Sequence, residues 1–323
     1  MLNQYHYQQE GMGSGEMTNC RKIAVANQKG GVGKTTTTLN LGAALAKAGR
    51  KVLVIDGDPQ GSLTAWLGFN GAVGGREIGR VLSGMIPFSE AIRETNEDNL
   101  WAVPTNHAIV QVEQSLTVSE NWERLLKRKM EQSPLSYDYI LFDCPAAFSS
   151  LLTNYLTASD EVIIPVQTEI MALNSTVKFL EKLAQIRRDL NPSLKICGIL
   201  PVMYDGRTRH SHEILKKMRE APNLKQYVFS SVIRKNVRLT EAPSRFIPIL
   251  KASPSSYGSI DYLRLAAELI AQEPGGKPKA ENLLKEVPAS KLVDDEKILA
   301  GVELETEEEE ISAELPAMRG IDE

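Results

Sequence analysis

The chain has 323 residues, of which 42% are hydrophobic and 24% are charged, and its formal net charge is −4. This balance is typical of a soluble globular protein, and no apolar run approaches the roughly 18 residues of a membrane-spanning helix. Three widely spaced cysteines (Cys20, Cys144 and Cys197) and a polar amino terminus exclude a disulfide framework, a metal-binding cysteine pair and a secretory signal, which favours a reduced, cytosolic setting.

Residues 1–19 are expected to form a flexible leader, and a body of alternating apolar and amphipathic segments runs from Cys20 to about Gln272. Strands are predicted at Ile23–Asn27, Lys51–Asp56, Leu100–Pro104, Tyr139–Asp143, Glu161–Val166, Lys195–Val202 and Tyr227–Ile233. Helices are predicted at Thr36–Ala48, Glu120–Glu131, Ser149–Ala158, Leu173–Leu190, Ser211–Glu220 and Ser259–Gln272. Strands rich in Val, Ile and Leu are buried on both faces, which predicts an α/β fold with a mainly parallel sheet flanked by helices on both faces.

The first predicted strand and the first predicted helix are joined by a glycine-rich loop. Residues 29–36 read Lys-Gly-Gly-Val-Gly-Lys-Thr-Thr. The glycines let backbone N–H groups turn inward, and the start of the helix adds free donors and a favourable dipole for an anion. Lys34 is placed to reach terminal phosphates, and the Thr35 hydroxyl to bind the accompanying Mg²⁺. The standard pattern has glycine where this chain has Gln28, and an additional lysine, Lys29, follows it, so the sequence predicts a variant phosphate loop with two lysines.

Two predicted strands end in carboxylates. Asp56 and Asp58 follow one buried strand, and Asp143 ends another. A nucleoside triphosphatase needs carboxylates at strand ends to hold Mg²⁺ and to orient water. A charge that follows an apolar run is costly unless it is compensated, so a site beside the phosphate loop is favoured over a simple turn or helix cap.

Five motifs, in order, carry a specific resemblance. Besides residues 29–36, they are Asp-Gly-Asp-Pro-Gln-Gly at 56–61, Asp-Cys-Pro at 143–145, Met-Tyr-Asp-Gly-Arg-Thr at 203–208 and Asn-Val-Arg-Leu-Thr-Glu-Ala-Pro-Ser at 236–244. From about Arg21 to Gln272 the sequence resembles the ParA/Soj family of deviant Walker A partition ATPases. The resemblance implies a P-loop NTPase fold of the deviant Walker A (SIMIBI) type, ATP hydrolysis, and ATP and Mg²⁺ as cofactors.

The same resemblance implies a mode of action. The family forms an ATP-bound sandwich homodimer that binds DNA without sequence preference. A ParB-like partner stimulates hydrolysis, which releases the DNA, and the cycle segregates a chromosome or a plasmid. The implied location is the cytoplasm, in association with the nucleoid and not with a membrane.

Carried over by position, the resemblance also implies the nucleotide contacts. They come from Lys29, Gly30, Gly31, Val32, Gly33, Lys34, Thr35 and Thr36, with Met203 and Asn236 near the adenine. Lys34 would hold the β- and γ-phosphates, Thr36 the α-phosphate, and Lys29 would reach the ATP of the partner subunit. Gln167 and Glu169 follow a buried strand, at a place that can contact the nucleotide or the dimer partner.

The resemblance implies catalytic and metal-binding roles as well. The catalytic residues would be Lys29, Lys34 and Asp58, with Asp58 orienting the attacking water. The metal would be held by Thr35, Asp58 and Asp143, with Asp143 acting through water. Asp56 would support that network.

Two positions depart from the family pattern. Ala146 stands where family members often have a second proline after Asp-Cys-Pro, and residues 233–236 read Ile-Arg-Lys-Asn where Ile-Pro-Arg-Asn is common. The second departure places Arg234 and Lys235 in the region that, with Met203, borders the adenine. Loss of a proline at this rim removes rigidity without removing the phosphate site.

Charge is distributed unevenly along the chain. Residues 273–323 form an acidic tail, predicted to be largely disordered, with 15 acidic and 6 basic residues, whereas the preceding 272 have 31 basic and 26 acidic. Within the body, Tyr204–Lys251 has 11 basic residues against 4 acidic ones. Together with the resemblance, this predicts contacts to the DNA backbone from Arg207, Arg209, Lys216, Lys217, Arg219, Lys235 and Arg238. The acidic tail is hypothesised to compete with DNA for this surface, so that deletion of residues 274–323 would tighten DNA binding.

Other proteins with the same phosphate loop give the alternative functions. A ParA-like ATPase that positions a protein cargo on the nucleoid is the main alternative. A MinD-type membrane-positioning ATPase would need a basic amphipathic helix at its carboxyl terminus, where this chain is acidic. A nitrogenase iron protein would need a pair of cluster-binding cysteines, and a small-molecule ligase such as dethiobiotin synthetase would not explain the basic stretch.

Overall fold

A computed structural model describes residues 20–69, 73–118, 120–133, 135–285 and 287. The predicted leader, residues 1–19, and residues 288–323 of the acidic tail lie outside the described residues. The strands are β1 (Arg21–Val25), β2 (Val52–Asp56), β3 (Arg93–Glu94), β4 (Leu100–Val103), β5 (Tyr139–Asp143), β6 (Glu161–Gln167), β7 (Lys195–Tyr204) and β8 (Ile233–Arg234).

Helices connect and cover these strands. They are α1 (Lys34–Lys47), α2 (Ser62–Trp66), α3 (Ile78–Leu82), α4 (Phe88–Ala91), α5 (Ile109–Leu116), α6 (Leu125–Glu131), α7 (Ser150–Ala158), α8 (Ile170–Asp189), α9 (Arg209–Glu220), α10 (Val237–Glu241), α11 (Ile249–Ala252), α12 (Tyr257–Ala271) and α13 (Lys277–Leu284). Two 3₁₀ turns, Trp122–Arg124 and Ala242–Arg245, precede α6 and follow α10. Within the described residues, no helix combines the length and apolar character that a membrane crossing requires.

The strands form one sheet in the order β3-β4-β2-β5-β1-β6-β7-β8. Every neighbouring pair is parallel except β3 and β4, which are antiparallel. The central strand β5 lies between β1 and β2, so that Val25 and Asp56 are both register partners of Asp143. The carboxyl ends of these strands therefore meet at one edge of the sheet, where ligands of open α/β folds bind.

Side chains of the central strands alternate between two hydrophobic cores. In β2, Leu53 and Ile55 pack into the core that contains helices α3 to α9, whereas Val52 and Val54 pack into the core that contains α1, α12 and α13. This alternation follows from the two-residue period of a strand and explains why these strands are apolar throughout. The predicted α/β fold, with a mainly parallel sheet flanked by helices on both faces, is confirmed.

Some predicted elements have other bounds in the structure. The strand predicted at residues 227–233 is limited to β8, and Val228 joins β7 only through an isolated bridge to Ile199. The helix predicted at residues 120–131 begins as a 3₁₀ turn and continues as α6. Helix α5 was not predicted. Only two of its eight residues, Ile109 and Leu116, are buried, which is too few to give a periodic pattern.

The described structure continues past Gln272, where the sequence indicated the end of the body. Helix α13 lies within the segment assigned to the acidic tail and packs against α12. Ala280, Leu283 and Val287 are 4–5% exposed and belong to the same core as α1 and α12. Glu273 also fastens this segment, because its carboxylate forms an ion pair with Arg50 and accepts a hydrogen bond from the Tyr139 hydroxyl.

Candidate functional site

The glycine-rich loop lies at the carboxyl end of β1 and begins α1. Gly31 and Gly33 have φ angles of 73° and 77°, in the left-handed region that favours glycine, and Gly33 is the N-cap of the helix. A Cβ built at Gly30 or Gly31 would have no atom within 4 Å, so there is open space beside the loop. The first N–H groups of a helix have no carbonyl partner within it, and the loop can therefore hold an anion such as a phosphate group.

Lys34 begins α1 and its side chain is held inside the loop. The residue is 7% exposed, and its Nζ donates a hydrogen bond to the Lys29 carbonyl at 3.4 Å. Burial lowers the pKa of Lys34, while the nearby Asp143 and Asp58 carboxylates act in the opposite direction. The structure thus brings Lys34 together with two of the predicted metal-site carboxylates, at the place where terminal phosphates would lie.

Asp56 lies at the end of β2 and is fully engaged by its neighbours. One carboxylate oxygen accepts hydrogen bonds from the Thr64 backbone N–H at 2.7 Å and from its hydroxyl at 2.6 Å, and the other accepts from the Asp58 N–H at 3.2 Å. Burial nevertheless raises the pKa of Asp56 to about 6. The Thr64 hydroxyl also accepts a hydrogen bond from the Thr105 N–H. Through its bonds to Thr64 and to the Asp58 N–H, Asp56 fixes the turn that carries Asp58. The sequence had not indicated Thr64, because a threonine in a short helix has no distinctive pattern.

Asp143, at the end of β5, is held by no comparable hydrogen bonds among the described residues. It is 0% exposed, and neither carboxylate oxygen receives a hydrogen bond from the described part of the chain. Burial and the adjacent Asp56 carboxylate raise its pKa well above the ordinary value, against the influence of Thr35 and Lys34. A buried carboxylate with two unpartnered oxygens is costly. A cation or the water around it would supply the missing partners.

The residues around Asp143 fit Mg²⁺ of the kind that accompanies a nucleotide. Among the described residues, no group of three or more His, Cys, Asp and Glu side chains could enclose a metal ion. Mg²⁺ keeps several waters and is usually held by one or two carboxylates together with substrate phosphates. Thr35 and Asp58 are close enough to Asp143 to influence its pKa, and the three residues next to the phosphate loop could supply such an open site.

Lys29 does not point into its own loop. Its Nζ donates a hydrogen bond to Gln167 Oε1, at the end of β6, and forms an ion pair with Glu169 at 3.4 Å. Gln167 Nε2 in turn donates to the Gly31 carbonyl at 3.4 Å and contacts Met203 Sδ at 3.1 Å. Met203 is 41% exposed and has a φ of 55°, so the residue predicted near the adenine lies at the rim of the site.

The other predicted adenine neighbour, Asn236, caps α10, and its Oδ1 accepts a hydrogen bond from the Arg238 N–H at 2.9 Å. Before it, Arg234 is bound to Asp261: its backbone N–H and its guanidinium both donate to the carboxylate, which is almost completely buried. The guanidinium also lies over the Tyr257 ring, 4.1 Å from the centroid. Sequence reasoning had indicated neither Asp261 nor Tyr257 as a partner of Arg234.

The predicted DNA-binding residues lie beyond the carboxyl ends of β7 and β8 and on α9. Three of the arginines form local ion pairs: Arg207 with Asp205, Arg209 with Glu213 and Arg238 with Glu241. Lys216 and Lys235 are exposed, whereas Lys217 and Arg219 are partly covered, and Arg219 donates to the Ser230 carbonyl. The segments that follow β7 and β8 start from the same edge of the sheet, because the two strands are parallel neighbours, whereas α9 and α10 pack on opposite faces. Several of the residues are paired with acidic neighbours.

Comparisons with known proteins agree with this geometry. The sequence profile of the AAA domain family matches residues 20–196. The sporulation initiation inhibitor protein Soj of Bacillus subtilis is 40% identical over 249 residues, which cover 77% of this chain and 98% of that protein. The chromosome partitioning protein ParA of Caulobacter vibrioides is 37% identical over 262 residues, or 80% of this chain and 97% of that protein.

A solved structure is also similar. It is the crystal structure of cobyrinic acid a,c-diamide synthase from Mycobacterium smegmatis with bound ATP analogue and magnesium. The sequence identity is 34% and the TM-score 0.67, with 77% of this chain and 93% of that chain covered.

Proposed function

The chain belongs to the ParA/Soj family of partition ATPases, and we propose that two copies of it join around ATP, bind DNA without sequence preference and separate when ATP is hydrolysed. The protein is an ATPase that uses ATP and Mg²⁺, and its general role is chromosome partition. A ParB-like partner stimulates hydrolysis in this proposal, and DNA binding places the protein on the nucleoid. Residues 1–19, 20–272 and 273–323 are proposed as leader, ATPase body and acidic tail, with α13 packed on the body.

The proposal assigns separate tasks to the residues of the site. The loop from Gly30 to Gly33 and the first N–H groups of α1 bind phosphate oxygens. Lys34 binds the β- and γ-phosphates, where its buried ammonium acts at short range, and Thr36 contacts the α-phosphate. When bound, Mg²⁺ neutralises charge on the phosphates.

The carboxylates complete the reaction centre. Thr35 and Asp143 would hold the metal, Asp143 through water, and the two unpartnered oxygens of Asp143 support that role. Asp58 orients the attacking water and adds to the metal site. Asp56 keeps Asp58 in place through the hydrogen bond to its N–H.

The observation that carries the dimer proposal is the direction of Lys29. The Lys29 ammonium lies at the rim with Gln167 and Glu169. The Lys34 ammonium, in contrast, lies inside the loop, where it donates to the Lys29 carbonyl. A rim lysine can reach a triphosphate on a facing subunit, where a second cation stabilises the charge of the transition state. Assembly of the dimer then depends on ATP in both subunits, and Met203 and Asn236 are proposed to border each adenine.

DNA binding is proposed for the region of Arg207, Arg209, Lys216, Lys217, Arg219, Lys235 and Arg238. Contacts to the phosphate backbone carry no sequence information, which fits a protein that moves over a whole nucleoid. Arg207, Arg209 and Arg238 would exchange their local carboxylates for DNA phosphates, an exchange that costs little at exposed ion pairs. Positioning of a protein cargo would use the same DNA contacts with another partner.

ATP turnover by the full chain and three variants tests the proposal, with and without nonspecific DNA and a ParB-like protein. Lys34→Ala should lose nucleotide binding, Lys29→Ala should bind nucleotide but fail to form a dimer, and Asp58→Ala should form a dimer without turnover. Normal dimerisation and hydrolysis by Lys29→Ala would show that the shared site is wrong. Stimulation by a cargo adaptor instead of a ParB-like protein would identify the cargo-positioning alternative.

A further inference from the structure

Two side chains at the end of β6 hold the ammonium of Lys29 on its own protomer. Gln167 Oε1 accepts a hydrogen bond from Lys29 Nζ, and Glu169 Oε2 lies 3.4 Å from the same atom. The Lys29 side chain is 30% exposed in this position, and that of Glu169 is 59% exposed. A lysine proposed to act on another subunit's ATP is thus already bound within its own subunit.

The Gln167 amide is bound on both sides. Its oxygen accepts from Lys29, and its nitrogen donates to the Gly31 carbonyl at 3.4 Å and contacts Met203 Sδ at 3.1 Å. One side chain therefore joins the rim lysine, the phosphate loop and the residue proposed to border the adenine. Because Gln167 ends β6 and pairs with Val202 of β7, its backbone position is fixed by the sheet.

We propose that Gln167 and Glu169 are positioning residues that store Lys29 on its own subunit, and that pairing of two ATP-bound subunits must release it. This inference rests on the proposed action of Lys29 across the dimer. A stored lysine reduces the fraction of subunits ready to pair. Because both subunits must release their lysine, the apparent dissociation constant of the dimer rises with the square of that reduction. The storage contacts thereby raise the protein concentration at which ATP produces dimers.

The size of the expected effect on Lys29 release follows from the exposed ion pair between Lys29 and Glu169. Exposed ion pairs shift an equilibrium by a small factor, about two- to fivefold, and salt weakens them further. Glu169→Gln keeps the shape of the side chain and removes its charge. Glu181→Gln is the matched control, because Glu181 is an exposed residue of α8, the helix that follows Glu169.

The first measurement tests whether Glu169 holds the Lys29 ammonium in the monomer, and it does not require a dimer. The full-length, nucleotide-free protein is treated briefly with an acetylating reagent, and mass spectrometry compares the modification of Lys29 with that of Lys216, an exposed lysine of α9. Glu169→Gln should raise the relative reactivity of Lys29 about two- to fivefold. Glu181→Gln should leave it unchanged.

The second measurement tests how this contact affects dimerisation. With a slowly hydrolysed ATP analogue, sedimentation should show that Glu169→Gln forms dimers at about four- to 25-fold lower protein concentration than the wild type, because the per-subunit factor enters twice, and the difference should shrink in high salt.

Three outcomes would overturn the inference: unchanged Lys29 reactivity in Glu169→Gln, raised reactivity with an unchanged dimerisation midpoint, or weaker dimerisation, which would place Glu169 in the dimer interface. Normal dimerisation of Lys29→Ala would instead contradict the proposed function. The acetylation experiment would still report whether Glu169 holds Lys29 in the monomer, because it does not depend on dimerisation.

Discussion

Asp56 and Asp143 are register partners at the carboxyl ends of adjacent parallel strands, yet their carboxylates have opposite surroundings. Asp56 accepts three hydrogen bonds, whereas Asp143 accepts none from the described residues. The first carboxylate is therefore part of the scaffold of the turn, and the second is left open for a ligand. Two strand-end aspartates that look alike in the sequence have different tasks.

Replacement of Asp143 should stabilise the nucleotide-free protein. Asp143→Asn removes a buried carboxyl group that must take up a proton when the protein folds at neutral pH, and the free energy of unfolding should rise by about 1–3 kcal/mol. The raised pKa means that the folded protein keeps a proton that the unfolded chain loses above its ordinary value of 3.8, so wild-type stability falls as the pH rises. The gain should therefore be larger at pH 7 than at pH 5 in urea unfolding followed by circular dichroism.

Asp56→Asn is the control for this prediction. An asparagine cannot accept all three hydrogen bonds from Thr64 and Asp58, because its amide group is a donor. The free energy of unfolding should fall by about 1–3 kcal/mol. Destabilisation by both variants would show that Asp143 has partners of its own in the folded protein.

The Arg234–Asp261 pair should contribute strongly to stability. The two side chains are only 12% and 2% exposed. Asp261→Ala leaves the guanidinium buried without its carboxylate, which should lower the free energy of unfolding by about 3–5 kcal/mol. Chemical denaturation at neutral pH measures the loss.

An exposed pair and a double variant complete that experiment. Glu97→Ala removes the partner of Lys251, whose side chain is 54% exposed, and should cost at most about 1 kcal/mol. Replacing both buried partners, as in Arg234→Met with Asp261→Leu, should recover most of the stability lost in Asp261→Ala. Equal losses in Asp261→Ala and Glu97→Ala would contradict a buried role for the Arg234–Asp261 pair.

The fold could be predicted well where it depends on local pattern. The apolar runs that became β2 and β5 are visible because both faces of those strands are buried. The order of the strands is not visible, because the position of β5 between β1 and β2 is set by tertiary packing. The packing of helix α13 on the body was not predicted, because the Pro-Gly-Gly before the helix indicates a domain end and its apolar face consists mainly of Ala280 and Leu283.

The site could be predicted where chemistry needs a fixed residue type. The loop lysines and Asp143 were predicted from residue type and position together with the family resemblance, because phosphate and Mg²⁺ favour such residues, and the structure brings Lys34 and Asp143 together. Thr64 and Asp261 were not found, because they act through contacts between segments far apart in the sequence. The arrangement in which Gln167 binds Lys29 likewise arises only when β6 pairs with β1.

DNA affinity should depend on Lys216 and Lys235. Each is exposed, and each glutamine variant should weaken binding of the ATP-bound protein equally for different sequences. The slope of log affinity against log salt, predicted at roughly −3 to −6 for the wild type, should become shallower by about 0.9 for each phosphate that the variant no longer neutralises. Fluorescence anisotropy with a labelled duplex at several salt concentrations measures both quantities.

Lys285 provides the control, because it follows α13 on the opposite face of the sheet from α9. Lys285→Gln changes the net charge by the same amount and should leave the slope unchanged. If all three variants shift the slope alike, binding depends on net charge and not on this surface. A flat salt response of the wild type would exclude phosphate contacts altogether.

Removal of the acidic tail should tighten DNA binding, provided that α13 is kept. Residues 288–323 contain 12 acidic and 3 basic residues, and their loss removes a competitor for the basic region. A chain that ends at residue 287 should bind DNA on the order of tenfold more tightly at low salt, with a smaller gain at high salt. Deletion from residue 274 onward would also remove Ala280, Leu283 and Val287 from the core, and the lost burial of Leu283 alone should cost about 2 kcal/mol of stability. A chain ending at residue 287 with unchanged affinity would show that the tail does not compete with DNA.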